Sequence, residues 1–139
     1  MSESASSEQA RSADQPQASE ADVAAASAGA EVVPATGAGL PPTAQTFFAV
    51  VAANGALVRG FGVISSARLA VGQYQVVFAH DVTGSAYVGT TGLTGNVGVA
   101  PSGQIAVVGR AGIANGVFVE TFSGAGAAAD RAFHLAVHS

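Results

Sequence analysis

The chain contains no cysteine, no tryptophan and no lysine among its 139 residues. Without cysteine there can be no disulfide, zinc–thiolate site or thiol chemistry, although this absence does not identify the compartment. The basic residues other than histidine are five arginines, and they form no basic cluster. Nucleic-acid binding relies on several Lys and Arg contacts to phosphate, so neither a nucleic-acid partner nor a polybasic membrane patch is expected.

Long hydrophobic runs are also missing. The apolar stretches are far shorter than the ~20 residues that span a bilayer, so no membrane span is predicted. The first four residues lack a basic region and no apolar region follows them, so a conventional secretory signal peptide is not predicted. Localisation stays open between surface or virion association and the cytoplasm.

Aromatic residues are absent from positions 1–43, and all nine lie between Phe47 and Phe133. The first 43 residues are rich in Ala, Ser, Glu and Gln, and they cannot bury enough apolar surface to offset the entropy of ordering. We therefore predict a disordered, acidic Ala/Ser/Pro-rich tail over residues 1–43, with at most a transient helical turn near residues 22–26. The tail would serve as a passive linker or as a segment that docks on a basic partner.

Charge is scarce in the rest of the chain. The tail has six acids and one base, whereas residues 44–139 have three acids and four bases. Many positions predicted to point outward are Ala, Val, Ser or Thr, where a monomer usually carries Lys or Glu. Either this surface is mildly polar and solvated, or part of it is covered by a partner, most simply another copy in a homo-oligomer.

Residues 44–139 consist of short apolar runs separated by turn residues. The pairs Asn54-Gly55 and Asn115-Gly116 are strong hairpin signals, because type I′ turns need positive φ at both central residues. The strands are predicted at 46–53, 56–61, 63–69, 73–80, 86–91, 104–109, 117–122 and 131–138. Two of these alternate as strands with one buried face do: Tyr74, Val76 and Phe78 share one face of 73–78, and Phe133, Leu135 and Val137 share one face of 132–138. The pattern predicts an all-β fold: a small antiparallel β-sandwich or a jelly-roll or barrel-like domain of seven to eight strands.

The histidines do not predict a metal site. His134 and His138 lie on one strand face but ~13 Å apart, at roughly 3.3 Å per residue, so they cannot easily bind one ion. Either could meet His80 or Asp81 across strands, but the sequence does not give that pairing. We expect no metal and no other cofactor.

Catalytic patterns are equally sparse. The acids of residues 44–139 are Asp81, Glu120 and Asp130, and a glycosidase needs two carboxylates that flank the scissile bond. No Gly-x-Ser-x-Gly sequence is present, and the glycine-rich run 89–95 lacks the following helix that a phosphate-binding loop requires. We expect a non-enzymatic protein. A hydrolase that uses one of these three acids ranks third, after the two hypotheses stated below.

The β-region carries a resemblance. The runs 58–63, 72–78, 86–88 and 130–137 resemble small β-domains of bacterial and phage proteins that close tail-fibre-like or collagen-like surface chains. The resemblance covers about residues 46–138 and implies a trimerising or ligand-contacting module. Neither a collagen repeat nor a fibre shaft precedes the domain in this sequence, and no functional residue carries over.

The leading hypothesis is a structural or interaction module that self-associates or binds a surface partner. The alternative is a sandwich that binds a small ligand or a glycan through loops near Tyr87, 92–103 and 123–130. Candidate contacts for a ligand or partner are Tyr87, His80, Asp81, His134 and Asp130.

Overall fold

A computed structural model describes residues 15–29 and 45–139 of the chain. These residues form one helix and eight strands: α1 (Glu20–Gly29), β1 (Thr46–Val51), β2 (Leu57–Phe61), β3 (Val63–Ala70), β4 (Gln73–Phe78), β5 (Ala86–Thr91), β6 (Gly103–Gly109), β7 (Gly116–Ser123) and β8 (Phe133–His138). Every predicted strand is present, and its ends lie within two residues of the prediction.

The strands form two antiparallel sheets of four. Sheet 1 has the order β2-β1-β8-β5, and sheet 2 has the order β3-β4-β7-β6. The hairpins β1-β2, β3-β4 and β6-β7 are local, whereas the pairs β1-β8, β5-β8 and β4-β7 join distant segments. The predicted all-β sandwich is confirmed.

The core lies between the inner faces of the two sheets. Its residues come from the four central strands β1, β4, β7 and β8, in which every second side chain points inward. The buried residues of these strands are Phe47, Ala49, Val51, Tyr74, Val76, Phe78, Val117, Val119, Phe133, Leu135 and Val137. The rings of Tyr74 and Phe133 meet edge to face across the sheets, with their centroids 5.1 Å apart.

The Asn54-Gly55 hairpin is present, but its turn is not type I′. Only Gly55 has positive φ, at +92°, while Asn54 does not. Gly55 N donates to Ala52 O at 2.8 Å and Ala52 N donates to Ala56 O at 2.9 Å. This is a three-residue loop with glycine in the left-handed position, which needs one positive φ rather than two.

The second hairpin joins β6 to β7, as predicted, but Asn115-Gly116 does not form a type I′ turn, because neither residue has positive φ. The chain reverses through two consecutive turns: Ile113 N donates to Arg110 O at 3.1 Å and Gly116 N donates to Ile113 O at 3.0 Å, with Gly112 at φ of +84°. Gly116 already belongs to β7. The side chain of Asn115 is buried and donates to Phe78 O at 2.8 Å, so this asparagine ties the loop to the end of β4.

Part of the predicted tail is ordered against the sandwich. Residues 15–29, which we call the strap, contain α1, a ten-residue helix where the sequence predicted at most a transient turn. Ser19 and Asp22 form a capping box: Ser19 Oγ accepts from Asp22 N at 3.0 Å, and Asp22 Oδ2 accepts from Ser19 N at 3.3 Å. Residues 1–14 and 30–44, including the predicted boundary at 43/44, lie outside the described residues.

Candidate functional site

Three of the five candidate contact residues lie at the first end of the sandwich, where β1 begins and β4 ends. His80 is buried, and its ring packs on Phe47 with centroids 4.2 Å apart. The hydroxyl of Tyr87 donates to Val82 O at 2.6 Å, and burial raises its pKa, with a further increase from the charge of Asp81. His80 is buried and Tyr87 is half-buried against the core, so both rings stabilise the sandwich rather than present themselves to a ligand.

Asp81, the third residue at this end, caps its own turn. Its Oδ1 accepts from Thr83 Oγ1 at 2.6 Å and from Thr83 N at 2.8 Å. These bonds favour the carboxylate, and they lower its pKa below the ordinary value. An ionised aspartate satisfied within its own turn is a poor general acid.

Asp130 lies at the opposite, second end of the sandwich. Its carboxylate accepts from Gly72 N at 2.8 Å and from Arg68 Nε at 3.0 Å, and it lies 3.4 Å from the Tyr74 hydroxyl. The Gly72 N–H, followed by Arg68, lowers the pKa of Asp130. Burial, and then the negative charge of Asp130, raise the pKa of Tyr74. The cluster fixes the β3-β4 turn to the loop before β8.

A shallow depression opens beside this cluster. It has a volume of about 130 Å³ and is lined by Ala53, Thr91, Gly92, Leu93, Pro101, Asp130, Arg131 and Ala132. Two of the predicted ligand loops meet here, while Tyr87 is at the other end. Small-molecule sites usually occupy ~300–1,000 Å³, so the depression is small even for a single sugar ring with its contacts.

The acids and histidines do not converge. Asp81 and Asp130 lie at opposite ends, and Glu120 is on the outer face of sheet 2. His134 and His138 share the outer face of sheet 1, where His134 Nε2 is 2.9 Å from Leu93 O and His138 Nδ1 is 3.1 Å from Thr46 Oγ1. Within residues 15–29 and 45–139, no three His, Asp or Glu side chains are grouped so that they could hold a metal ion.

The outer face of sheet 1, which we call the open face, has a different character. Paired residues of antiparallel strands lie on the same face, so the register gives its rows. One row runs across all four strands as Phe61, Phe48, Ala136 and Val88. The flanking rows are Arg59, Val50, His134 and Thr90 on one side, and Thr46, His138 and Ala86 on the other.

The central row of the open face is apolar and accessible. The exposed fractions of Phe48, Phe61 and Val88 are 40%, 52% and 58%. A depression of about 230 Å³ lies among Phe48, Val50, Val88, Thr90, His134 and Ala136. Arg59 is the one charged residue among the eleven described positions of this face, and none of them is acidic. This row is not visible in the sequence, because strand order and register bring its four residues together.

The outer face of sheet 2 is covered in part by the strap. Gln75 and Val77 of β4 and Phe118 of β7 point to this face, yet all three are buried. Arg110 is only 4% exposed; its Nε donates to Gln75 Oε1 at 2.7 Å and its guanidinium lies over the Phe118 ring, 5.9 Å from the centroid. Burial lowers the pKa of Arg110 from its usual value, although arginine stays charged in proteins.

The strap supplies the remaining partners of Arg110. Its guanidinium donates to Gln15 Oε1 at 2.9 Å and to Pro16 O. Gln15 also accepts from Ala111 N at 2.8 Å and donates to Gly109 O at 2.7 Å. We call this arrangement the Gln15 clasp. It pairs a side-chain amide with the backbone at the end of β6, which is an edge strand of sheet 2.

Comparison with known proteins gives no relative: no protein-family model, curated protein or solved structure matches the chain. Among the residues that the structure describes, no helix has the length and apolar character needed to cross a membrane. Function is therefore inferred from the faces of the sandwich.

Proposed function

We propose that this protein is a non-enzymatic structural module that self-associates through the open face of sheet 1. The observation that carries the proposal is the apolar row Phe61–Phe48–Ala136–Val88, which crosses all four strands without an intervening charge. An antiparallel sheet with one solvated face normally alternates apolar-in with polar-out, and this row departs from that pattern.

The chemistry of the open face suits a second copy of itself. A symmetric contact places the same patch on both partners, so an apolar patch is self-complementary where a charged one is not. The charge of Arg59 lies on the edge strand β2, and its Nη1 donates to Thr94 O at 2.6 Å, so it does not interrupt the centre of the patch. Contact between copies would remove the exposed phenylalanines from water.

The size of the face sets the expected strength. Four strands ~4.8 Å apart and six residues long at ~3.3 Å each give an upper limit of about 380 Å² per copy. The accessible part is smaller, because Thr94 and Leu93 contact Arg59 and His134, and Val50 between them is buried. Stable interfaces bury about 800 Å² per partner, so this face alone gives weak, concentration-dependent association. We expect a dissociation constant on the order of 10–100 µM rather than a permanent oligomer.

Sedimentation equilibrium of the full chain, from about 10 to 500 µM, tests the proposal. Two valines make a matched pair: Val88 on β5 and Val108 on β6 are both on edge strands, with exposed fractions of 58% and 54%. Val88→Thr places a hydroxyl on the open face, whereas Val108→Thr places the same group on the outer face of sheet 2. Val88→Thr should weaken association about threefold to tenfold, and Val108→Thr should leave it unchanged.

A wild-type chain that sediments as a monomer throughout this range would overturn the proposal. Equal effects of the two valine substitutions would overturn the assignment to the open face. The same data give the stoichiometry: a symmetric contact of the open face with itself closes as a dimer, whereas the resemblance to closing domains of surface fibres implies a trimer.

A further inference from the structure

The strap is held to the sandwich by a few polar contacts and little apolar burial. Its apolar contacts come from two alanines: Ala26 packs with Val77 and Ile113, and Ala18 lies at the edge of that cluster. Beyond the Gln15 clasp, Asn115 Nδ2 donates to Ala26 O at 3.1 Å. Segments with few buried apolar contacts open at low free energy, so this is a releasable segment rather than part of the core.

Without the strap, the surface beneath it would expose buried side chains to water. We call it the strap face; it comprises Gln75, Val77, Arg110, Ile113 and Asn115, all buried with the strap in place. When the strap leaves, Arg110 keeps Gln75 as a partner but loses Gln15 and Pro16. The strap face therefore favours binding of a segment that carries the amide of Gln15 and the small side chains of Ala18 and Ala26.

The segment that connects the strap to β1 is long enough for the strap to reach the strap face of its own chain or that of a second copy. Residues 30–44 join the strap to β1, and fifteen residues extend to at most about 50 Å. β1 belongs to sheet 1, the sheet that carries the open face. With sheets about 10 Å apart, the chain's own strap face is ~20 Å from β1, and that of a copy stacked on the open face is ~30 Å away. Both distances are within reach.

We propose that the strap is exchanged between copies, so that residues 15–29 of one chain dock on the strap face of another when the two pack through their open faces. The exchange rests on the proposed self-association. It gives each pair of copies a second contact in addition to a small sheet face. Linked contacts of this kind strengthen an assembly because the second binding event is intramolecular. Exchange of an identical element between protomers is a low-cost route to such assemblies.

Engineered disulfides distinguish exchange from docking within one chain. The chain has no natural cysteine, and Ala18 Cβ lies 3.6 Å from the place where a Cβ at Gly112 would be. That separation is within the ~3.5–4.5 Å of disulfide-bonded Cβ atoms. Two full-length chains, Ala18→Cys and Gly112→Cys, are mixed at a concentration where sedimentation shows assembly, then oxidised. Exchange predicts a covalent heterodimer on a non-reducing gel, with the joined peptides identified by mass spectrometry.

Two further variants guard this test. Gly112 has positive φ, so a cysteine there is strained. The pair Gly29→Cys and Ile64→Cys repeats the test at the C-terminal end of α1, where Ile64 Cγ1 and Cγ2 each lie 3.6 Å from a Cβ built on Gly29. Gln15→Ala removes the clasp, whereas Gln17→Ala alters an exposed neighbour. Gln15→Ala should reduce both the cross-link and the association constant at least threefold, and Gln17→Ala should change neither.

The outcomes separate the two proposals. A control chain that carries both cysteines of a pair reports docking within one chain. If the chain assembles but a disulfide forms only in this control, exchange is wrong and self-association stands. If the chain is monomeric in sedimentation, both are wrong. If neither arrangement of cysteines cross-links in either pair, the strap does not dock, and exchange is wrong for that reason.

Discussion

Replacing Gly72 with alanine should be among the most destabilising single-methyl changes in this protein. Gly72 occupies the β3-β4 turn with φ of +67°, and a Cβ added there would lie 2.5 Å from Thr121 O. The same glycine accepts from Thr121 N at 2.8 Å and donates to Asp130 Oδ1 at 2.8 Å. A methyl group at this position must displace the backbone that holds both bonds.

The magnitude follows from two separable effects. An L-residue in the left-handed region costs about 1–2 kcal/mol relative to glycine. Displacing the turn weakens two hydrogen bonds, each worth about 0.5–1.5 kcal/mol net. We expect Gly72→Ala to reduce the free energy of unfolding by about 3 kcal/mol, which is a decrease of roughly 12–24 °C in melting temperature for a domain of this size.

Gly126→Ala is the matched control. Gly126 also has positive φ, at +90°, but a Cβ there would meet nothing within 4 Å. Gly126→Ala should therefore reduce the free energy of unfolding only by the cost of the left-handed conformation, about 1–2 kcal/mol. Urea denaturation followed by far-UV circular dichroism gives both values from the midpoints, provided that the slopes agree. Losses that agree within about 0.5 kcal/mol would refute the importance of the Gly72–Thr121 contact.

Three other substitutions test the packing and the polar contacts. Asp130→Asn should lower the free energy of unfolding at neutral pH and make it depend less on pH in acid. The pKa of Asp130 in the folded protein is below the ordinary ~3.9, so the wild-type contribution to stability is present above that value and is lost as pH falls through the folded pKa. Thermal melts at pH 2.5–7 measure this difference. Asn115→Ala should cost about 1–3 kcal/mol in urea unfolding, since it leaves the buried Phe78 O without this donor. Phe133→Ala should cost about 3–5 kcal/mol, because the ring is fully buried against Tyr74; a loss below 1 kcal/mol would contradict the assigned core.

The strands were predictable because their signals are local. Alternation in 73–78 and 132–138 placed Tyr74, Val76, Phe133 and Leu135 on inner faces before any pairing was known, and all four are buried. Turn glycines separated the runs. The error at Asn115-Gly116 concerns the type of turn: both residues lie in the turn that begins at Ile113, but neither has positive φ, and the Asn115 amide donates to Phe78 O.

The faces of the sandwich were not predictable, because they depend on pairing between distant segments. Phe48 and Ala136 are adjacent only because β1 pairs with β8, and Val88 joins them only because β5 pairs with β8. The strap was missed for a similar reason, since Gln15 meets Arg110 across 95 positions of sequence. Its one local signal was the capping box of Ser19 and Asp22, which indicates a helix start but not what the helix contacts.

Concentration-dependent NMR of the uniformly ¹⁵N-labelled full chain tests the central claim most directly, because it locates the associating surface residue by residue. On dilution from about 500 to 20 µM, amide shifts should change for outward residues of β1, β8 and β5, including Phe48, Ala136 and Val88. The outward residues of β6, with Val108 as the reference, should not shift. Shifts confined to sheet 2, or no change with concentration, would contradict self-association through the open face.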